Sequence, residues 1–494
     1  MMPMPSLHRH RLLPRPLRPP RALPWLAAAA VLPLLAACTA GPDYQRPAIE
    51  APAAFRHEAG WTTVPAASAQ PDTTAGWALF ADPTLQALLD EAGRAHPSLA
   101  QAEARYRQAA ARLDGRQAER LPRLAASAGA TRSGSGGGNG NDAGGADGSG
   151  TSAGTRYSAA LQLSWTPDLW GRVRRLAEAD EAGLQASAAD VAGVRLAVQS
   201  LAAQAYFQLR ILDRQAALLQ QTLDAYDRAL QLTRHQYAAG MVARADVIQS
   251  ETQREALRVQ IFTLARLRTQ TEHAVAVLLG RAPGAWRLAP QARFALHLPA
   301  VPGTLPSTLL RRRPDVVAAE RQVAAANAAI GVAQSAWWPD LTLSAGLGGN
   351  APHLAELLDA PRRVWSLGPT LAATLFDGGR RTALTAEAQA VYDERVAAYR
   401  QSALRAWQEV EDSLAGLVSL AGEAAQQQRL VALAQENERV VTHRYREGLV
   451  TFLELSVAQN LTYTSQRAAL DTLGLQLATS VRLLAALGGG WEAP

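Results

Sequence analysis

The sequence predicts a mainly α-helical chain that carries a membrane β-sheet and is built from two copies of one structural unit. Three observations lead there. Residues 171–280 return at 379–488 with a constant offset: Tyr237-Ala-Ala-Gly240-Met-Val242 matches Tyr445-Arg-Glu-Gly448-Leu-Val450, Gly171-Arg172 matches Gly379-Arg380, and Leu279-Gly280 matches Leu487-Gly488. Residues 172–238 contain no proline, and Leu212, Ala216, Leu219, Leu223, Tyr226, Leu230, Thr233 and Tyr237 follow steps of four and three, the spacing of a coiled-coil seam. Four shorter segments, two per copy, alternate apolar and polar residues as strands do.

As one helix, residues 172–238 reach about 100 Å. Gly240 suits the left-handed position that ends such a helix, and a shorter helix of roughly 37 residues then returns to Gly280. Each unit is therefore a long helix, a tight tip and a shorter return.

The first 37 residues hold five arginines (Arg9, Arg11, Arg15, Arg18, Arg21) and no acid, followed by an apolar run that ends before Cys38. This reads as a secretory leader. Pro24 and Pro33 break the run, and its length is short for a membrane-spanning helix. Leu35-Ala36-Ala37-Cys38 resembles the bacterial lipobox, so Cys38 is the expected lipidation site, with Ala40 two residues on favouring sorting to the outer membrane. The plainer alternative is an inert cysteine within an uncleaved leader. Cys38 is the only cysteine, which excludes disulfides within the chain and cysteine-based metal clusters.

The formal charge of +6 belongs to the leader: 49 basic residues less its five arginines leave 44 against 43 acids. No dense basic block follows, so nucleic acid is not an expected partner. Residues 39–70, rich in Ala and Pro, are expected to lie extended on another surface. Short helices are expected at 84–95 and 98–121. The second recurs with the strand after it, Pro97, Glu103, Gln117, Pro122, Leu124 and Gly129 matching Pro314, Glu320, Gln334, Pro339, Leu341 and Gly346. This offset is nine residues longer than the other, and the insertion falls in the Gly-, Ser-, Asn- and Asp-rich loop 133–154.

Strands are expected at 123–132, 157–166, 340–347 and 364–376. Their length suits a bilayer, but four strands cannot close a barrel and a membrane sheet cannot leave open edges, so several chains must share one. Trp165, Trp170, Trp337 and Trp338 fall where strand meets helix, as an interfacial girdle requires. A soluble sheet with core tryptophans is the alternative on the strands alone. A return helix plus the helix before a strand nearly equals the long rod, so short helices stacked end to end can pair with long ones, belted near the middle by 283–314 and 77–96.

No enzyme is expected. Gly346-Leu-Gly348-Gly-Asn-Ala351 loosely imitates a phosphate loop, but no crossover helix or downstream acid follows. His235, His273 and His443 stand alone on helices, and no metalloprotease or nucleophile-elbow spacing occurs. No cofactor or metal site is anticipated.

Taken together, Cys38-Thr-Ala-Gly41-Pro42-Asp43-Tyr44, Trp77-Ala-Leu-Phe80-Ala-Asp82-Pro83, Tyr237-xx-Gly240, Phe376-Asp377-x-Gly379-Arg380, Tyr445-xx-Gly448 and Ala486-Leu487-Gly488-Gly489-Gly490-Trp491 resemble the NodT/TolC-type outer-membrane factors of tripartite efflux systems. The resemblance covers the whole chain after the leader. It implies a homotrimer with a shared 12-stranded barrel in outer-membrane lipid and a periplasmic α-barrel. It further implies docking to a periplasmic adaptor (membrane fusion) protein and an inner-membrane, proton-driven RND-type pump, for export of small toxic compounds. A protein-secretion duct, or a lipid-anchored coiled-coil scaffold without a channel, are the alternatives; the scaffold leaves the strands unexplained.

The expected division is a signal peptide at 1–37, a lipidated tail and first equatorial segment at 38–97, repeat 1 at 98–281, an equatorial linker at 282–313, repeat 2 at 314–488 and a C-terminal end at 489–494. Adaptor docking is expected at the tips, through Tyr237, Gly240, Met241, Val242, Tyr445, Gly448, Leu449 and Val450, where apolar residues flank a turn. Pure helix capping is the plainer reading of the glycines. Just past the tips, Asp246, Leu453 and Glu454 are the gate candidates implied by the resemblance. Carboxylates repeated round a ring favour cations, whereas Leu453 narrows a pore as a hydrophobic plug. Against the acids, Thr451-Phe-Leu-Glu454 also reads as a capping box and Asp246 complements its helix N-terminus.

Overall fold

The computed structural model describes residues 39–56, 75–134, 153–294, 298–299, 306–357 and 359–491. In chain order the elements are α1 (Ala75–Ala78), α2 (Pro83–Ala95), α3 (Pro97–Ala118), β1 (Arg123–Gly134), β2 (Ala153–Trp165), α4 (Arg172–Ala238), α5 (Arg244–Leu278), α6 (Pro306–Arg312), α7 (Pro314–Ser335), β3 (Asp340–Ala351), β4 (Arg363–Ala372), α8 (Arg380–Arg446) and α9 (Phe452–Ala486). The long helices α4 and α8 have 67 residues each and their returns α5 and α9 have 35 each. Each bound of α8 and α9 lies 208 residues after the matching bound of α4 and α5. For α7 and β3 the offset from α3 and β1 is 217.

The chain forms two compact units. One holds the described residues of 1–42, 119–175 and 331–383. It contains an antiparallel sheet of order β1-β2-β3-β4. Registers such as Leu124↔Leu163, Leu161↔Leu347 and Leu347↔Trp365 gather the apolar residues on one face. Ser127, Gln162, Ser164, Thr342, Ser344 and Thr370 share the other, because side chains alternate along a strand. Much of the apolar face is open among the described residues: Leu124, Trp365, Leu367 and Leu371 are all exposed, while Ala351 at the far end of β3 is buried.

The strand bounds differ from expectation at their ends. β1 and β2 form a longer hairpin, paired out to Gly134↔Ala153, and β3 runs to Ala351. β4 stops at Ala372, so Leu375 and Phe376, 93% and 88% exposed, lie outside the ladder. Beyond it, Asp377 turns the chain into α8 by accepting from Gly379 N and Arg381 N, both at 3.1 Å. Asp168 does the same for α4, accepting from Val173 N at 3.0 Å and Arg174 N at 2.8 Å. At this end Trp165 Nε1 donates to Arg120 O (2.9 Å) and Trp170 Nε1 to Pro339 O (2.7 Å). Trp170 stacks on Trp338 at 4.8 Å, and the Arg381 guanidinium lies 4.6 Å from the Trp337 ring centroid. Residues 39–42 are held by Arg175, which donates to Ala40 O and Gly41 O. Gly41 is pressed so close to Gly331 that a Cβ would stand 2.3 Å from the Gly331 Cα.

The other unit comprises 43–118, 176–330 and the chain from 384 onward, as far as it is described. Its largest core wraps the middle of α4: Tyr206, Phe207 and Ile211 meet Trp77, Phe80, Leu85 and Leu89 from the α1–α2 region, Trp286 after α5, and Leu477 and Val481 of α9. An ionic cluster pins the linker there. Asp213 accepts from Arg210 Nη1 (3.2 Å) and Arg268 Nε (2.8 Å), while Glu272 accepts from Leu288 N (2.7 Å) and Asp213 from Gln291 N (3.0 Å). The extended stretch 43–56 lies on helices as expected, with Tyr44 donating to Glu320 and Phe55 buried among Leu309, Trp407 and Val410. The predicted seam holds at Leu212, Leu219, Leu223, Tyr226, Leu230 and Thr233, all buried. Ala216 and Tyr237 are exposed instead; at the end of the helix a last step of three from Thr233 buries Gln236 in place of Tyr237. Among the described residues no helix is long and apolar enough to cross a membrane.

Candidate functional site

The two tips are the same turn made twice. At the first, Gly240 has φ +75°, Gly240 N donates to Tyr237 O (2.9 Å) and Met241 N to Gln236 O (2.9 Å). At the second, Gly448 has φ +73°, Gly448 N donates to Tyr445 O (3.1 Å) and Leu449 N to Arg444 O (2.9 Å). Both are Schellman caps, in which a left-handed residue lets two amides satisfy the last carbonyls of the helix. A Cβ at either glycine meets open space, so the requirement is the positive φ alone. The capping reading of both glycines therefore stands. Their exposure also leaves them accessible to a partner.

Met241 (64%) and Leu449 (67%) are exposed at matching positions, while Val242 and Val450 are half-buried. The tyrosines do not match. Tyr237 is 46% exposed, but Tyr445 is 1% exposed and is corrected from a docking contact to a core residue. It packs with Ala229, Phe452 and Leu455. Its hydroxyl is 2.8 Å from Thr233 Oγ1, with either hydroxyl able to donate, and Thr233 Oγ1 also lies 2.9 Å from Ala229 O. Burial raises the Tyr445 phenol above its ordinary pKa; the Thr233 bond opposes the shift and the Asp246 carboxylate adds to it.

Past the tips, Thr451 and Glu454 form a reciprocal capping box: Glu454 N donates to Thr451 Oγ1 and Thr451 N to Glu454 Oε1, both at 3.4 Å. At the first tip only half a box exists. Asp246 Oδ2 accepts from Ala243 N at 3.1 Å, and alanine has no side-chain acceptor to reciprocate. Both acids thus serve their own helix N-termini. Leu453 is 57% exposed, and Val457 and Leu461 continue its line along α9 at intervals of four. Val457 stands where some relatives of the resembled family carry a gating acid, and with Leu461 it extends the apolar stripe past Leu453. Cys38 lies outside the described residues. Among the described residues no group of three or more His, Cys, Asp or Glu side chains is placed to hold a metal ion.

Residues 88–281 and 305–489 match the profile of the outer membrane efflux protein family. This chain belongs to that family. It is 32% identical over 472 residues to the probable efflux pump outer membrane protein TtgC of Pseudomonas putida, covering 94% of this chain and 95% of that one. To the probable outer membrane lipoprotein SilC of Salmonella typhimurium it is 28% identical, covering 94% and 98%. Among solved structures, the outer-membrane channel OprN superposes with a TM-score of 0.83 at 28% identity, over 92% of this chain and 100% of that one. As an outer membrane efflux protein, the chain is a transport component of the outer membrane and not an enzyme.

Proposed function

We propose that three copies of this outer membrane efflux protein form one exit duct, closing a 12-stranded barrel and lining a periplasmic helical tunnel. The observation that carries this reading is the four-stranded sheet, apolar and largely exposed on one face and ending in β1 and β4 at its edges. In lipid every edge amide must be satisfied, and pairing β4 of one copy with β1 of the next does so without adding a strand. The division into two repeats joined by the 282–313 linker fits the matching element bounds. Acylation of Cys38 anchors the extended tail, in keeping with the likeness to SilC.

The duct receives small toxic compounds from an inner-membrane, proton-driven pump through a periplasmic adaptor. Likeness to TtgC, named for an efflux pump, supports this cargo class over secreted protein. The adaptor meets the exposed apolar residues Met241 and Leu449, with Tyr237 at the first tip only. Three copies of Leu453 narrow the resting entrance, while Glu454 and Asp246 add charge to the same ring and cap their helices. Single-channel recording tests the gate: Leu453→Ala raises conductance, and Glu454→Ala changes mainly cation preference. If neither variant moves conductance and both lower thermal stability, the gate fails and capping is the whole role of the region. Met241→Asp with Leu449→Asp tests docking, with loss of adaptor crosslinking but not of the assembly as the expected result.

A further inference from the structure

The connection between β3 and β4 lies on one face of the sheet. Side chains of β3 alternate, with Leu341, Leu343, Leu347, Gly349 and Ala351 on the apolar face and Thr342, Ser344 and Asn350 on the polar one. A Cβ at Gly349 would stand 2.5 Å from Leu357 O and 3.4 Å from Arg362 O, so the chain after β3 folds back over the apolar face. Gly349 and Ala351 are accordingly buried, whereas Asn350 between them, on the polar face, is exposed.

The connection is also closed on itself. Glu356 N donates to His353 O (3.2 Å), Leu357 N to Leu354 O (3.3 Å), Asp359 N to Glu356 O (3.2 Å) and Arg362 N to Asp359 O (3.0 Å). Glu356 pairs with Arg362 at 2.6 Å, and Arg363 has an interaction partner as well. Satisfied amides and paired charges lower the cost of lying against lipid. Leu354 is left 67% exposed.

We propose that the β3–β4 connection is an interfacial anchor: it lies against the outside of the duct at the outer-leaflet boundary of the membrane, with Leu354 in lipid, and is not a lid over the mouth. The inference rests on the shared-barrel reading, which turns the apolar face to lipid and the polar face to the lumen. Leu341 to Gly349 is a step of eight residues, about 27 Å along a strand and about 19–22 Å along the membrane normal at the tilt of a barrel, against an apolar band of about 25 Å. Gly349 therefore falls near the far edge of the band. Trp365, opposite Leu347, and Tyr157, opposite Ala351, share the apolar face on either side of this level, where the aromatic girdle of a membrane barrel sits. Asp359, exposed, keeps the connection at head-group depth, and Leu354 reaches the acyl boundary.

Spin-label accessibility of the full-length protein in phospholipid liposomes tests this. Nitroxides are attached at Leu354→Cys, at Leu347→Cys on the apolar face and at Ser127→Cys on the polar face, with the wild type, whose one cysteine is Cys38, as the labelling background. Oxygen partitions into lipid and a nickel chelate stays in water. Label 354 is expected to favour oxygen at a depth of about 5–10 Å into the head-group boundary, shallower than label 347, while label 127 favours nickel. If Leu354→Cys does not fold, Ala355→Cys, at the exposed neighbouring position, carries the test with the same expectation. The proposal is overturned if label 354 favours nickel as strongly as label 127, or if it is shielded from both reagents as a protein contact would shield it. A nickel-favouring label 354 beside an oxygen-favouring label 347 removes the anchor alone; if label 347 favours nickel too, the shared barrel falls with it.

Discussion

The first and second tips have the same turn and different neighbours. Gly240 and Gly448 share φ to within two degrees and the same pair of amide-to-carbonyl bonds. Yet Tyr445 is buried against Phe452 and Leu455, whereas Tyr237, its counterpart 208 residues earlier, faces solvent. Likewise the second return helix has a complete capping box and the first has half of one. Repetition here preserves the backbone, which glycine and hydrogen-bond geometry dictate. Side-chain burial is free to diverge. The second tip is consequently tied into the protein core, and the first is the more weakly held of the two.

The largest effect expected from this contrast is at the tyrosines. Tyr445→Ala empties a buried aromatic site and should cost about 3–5 kcal/mol, while Tyr237→Ala stays within about 0.5 kcal/mol. Equal losses in urea unfolding would erase the distinction between the tips. Next come the glycines. Gly280 and Gly488, also at positive φ, each face a backbone oxygen that an added Cβ would approach to 2.6 Å (Ala95 O) and 2.5 Å (Arg312 O). Alanine there combines strain with overpacking and should cost about 3 kcal/mol, against about 1–2 kcal/mol at the open Gly240 and Gly448. A reversed order would show that the tips are the more tightly packed ends.

Caps give a smaller, two-sided effect. Thr451→Ala should lose about 1 kcal/mol and Ala243→Thr should gain a similar amount by completing the first box, both read as shifts in unfolding temperature. The smallest effect concerns pH. Burial raises the Glu438 carboxyl above its ordinary pKa, with the Thr462 hydroxyl pulling the other way. The folded state then holds this proton more tightly than the unfolded one, so the stabilisation is full below the ordinary value and disappears as pH rises through the raised one. Glu438→Gln should therefore raise the unfolding temperature at neutral pH and leave it unchanged near about pH 4. A gain of the same size at both pH values would contradict the assignment.

The helical frame was legible because its punctuation is covalent. Absence of proline and the placement of Gly171, Gly240, Gly280 and their counterparts bounded α4 at Arg172–Ala238, as the structure has it. Strand ends were less legible, since Leu375 and Phe376 continue the apolar alternation of β4 after pairing has stopped. Tyr445 was misplaced because its heptad environment comes from Thr233 and Phe452, the first of which belongs to the other copy, and no local pattern reports that contact. The Arg210–Asp213–Arg268–Glu272 cluster was missed for a related reason. Its counterparts are Val418, Ala421, Gln476 and Ser480, so it falls outside the repeat. It fastens Leu288, Ala289 and Gln291 of the linker that follows only the first copy, and a comparison of copies that sought differences rather than matches would have exposed it.

Assembly is the claim on which the duct and the gate ring both stand. Light scattering of the full-length protein in mild detergent, with far-UV circular dichroism on the same sample before and after heating, measures it directly. The expected result is a mass of three chains that falls to one on heating, with loss of the β signal. A monodisperse monomer whose β signal is intact would contradict the shared barrel, because its β1 and β4 edges would then be satisfied without a neighbour.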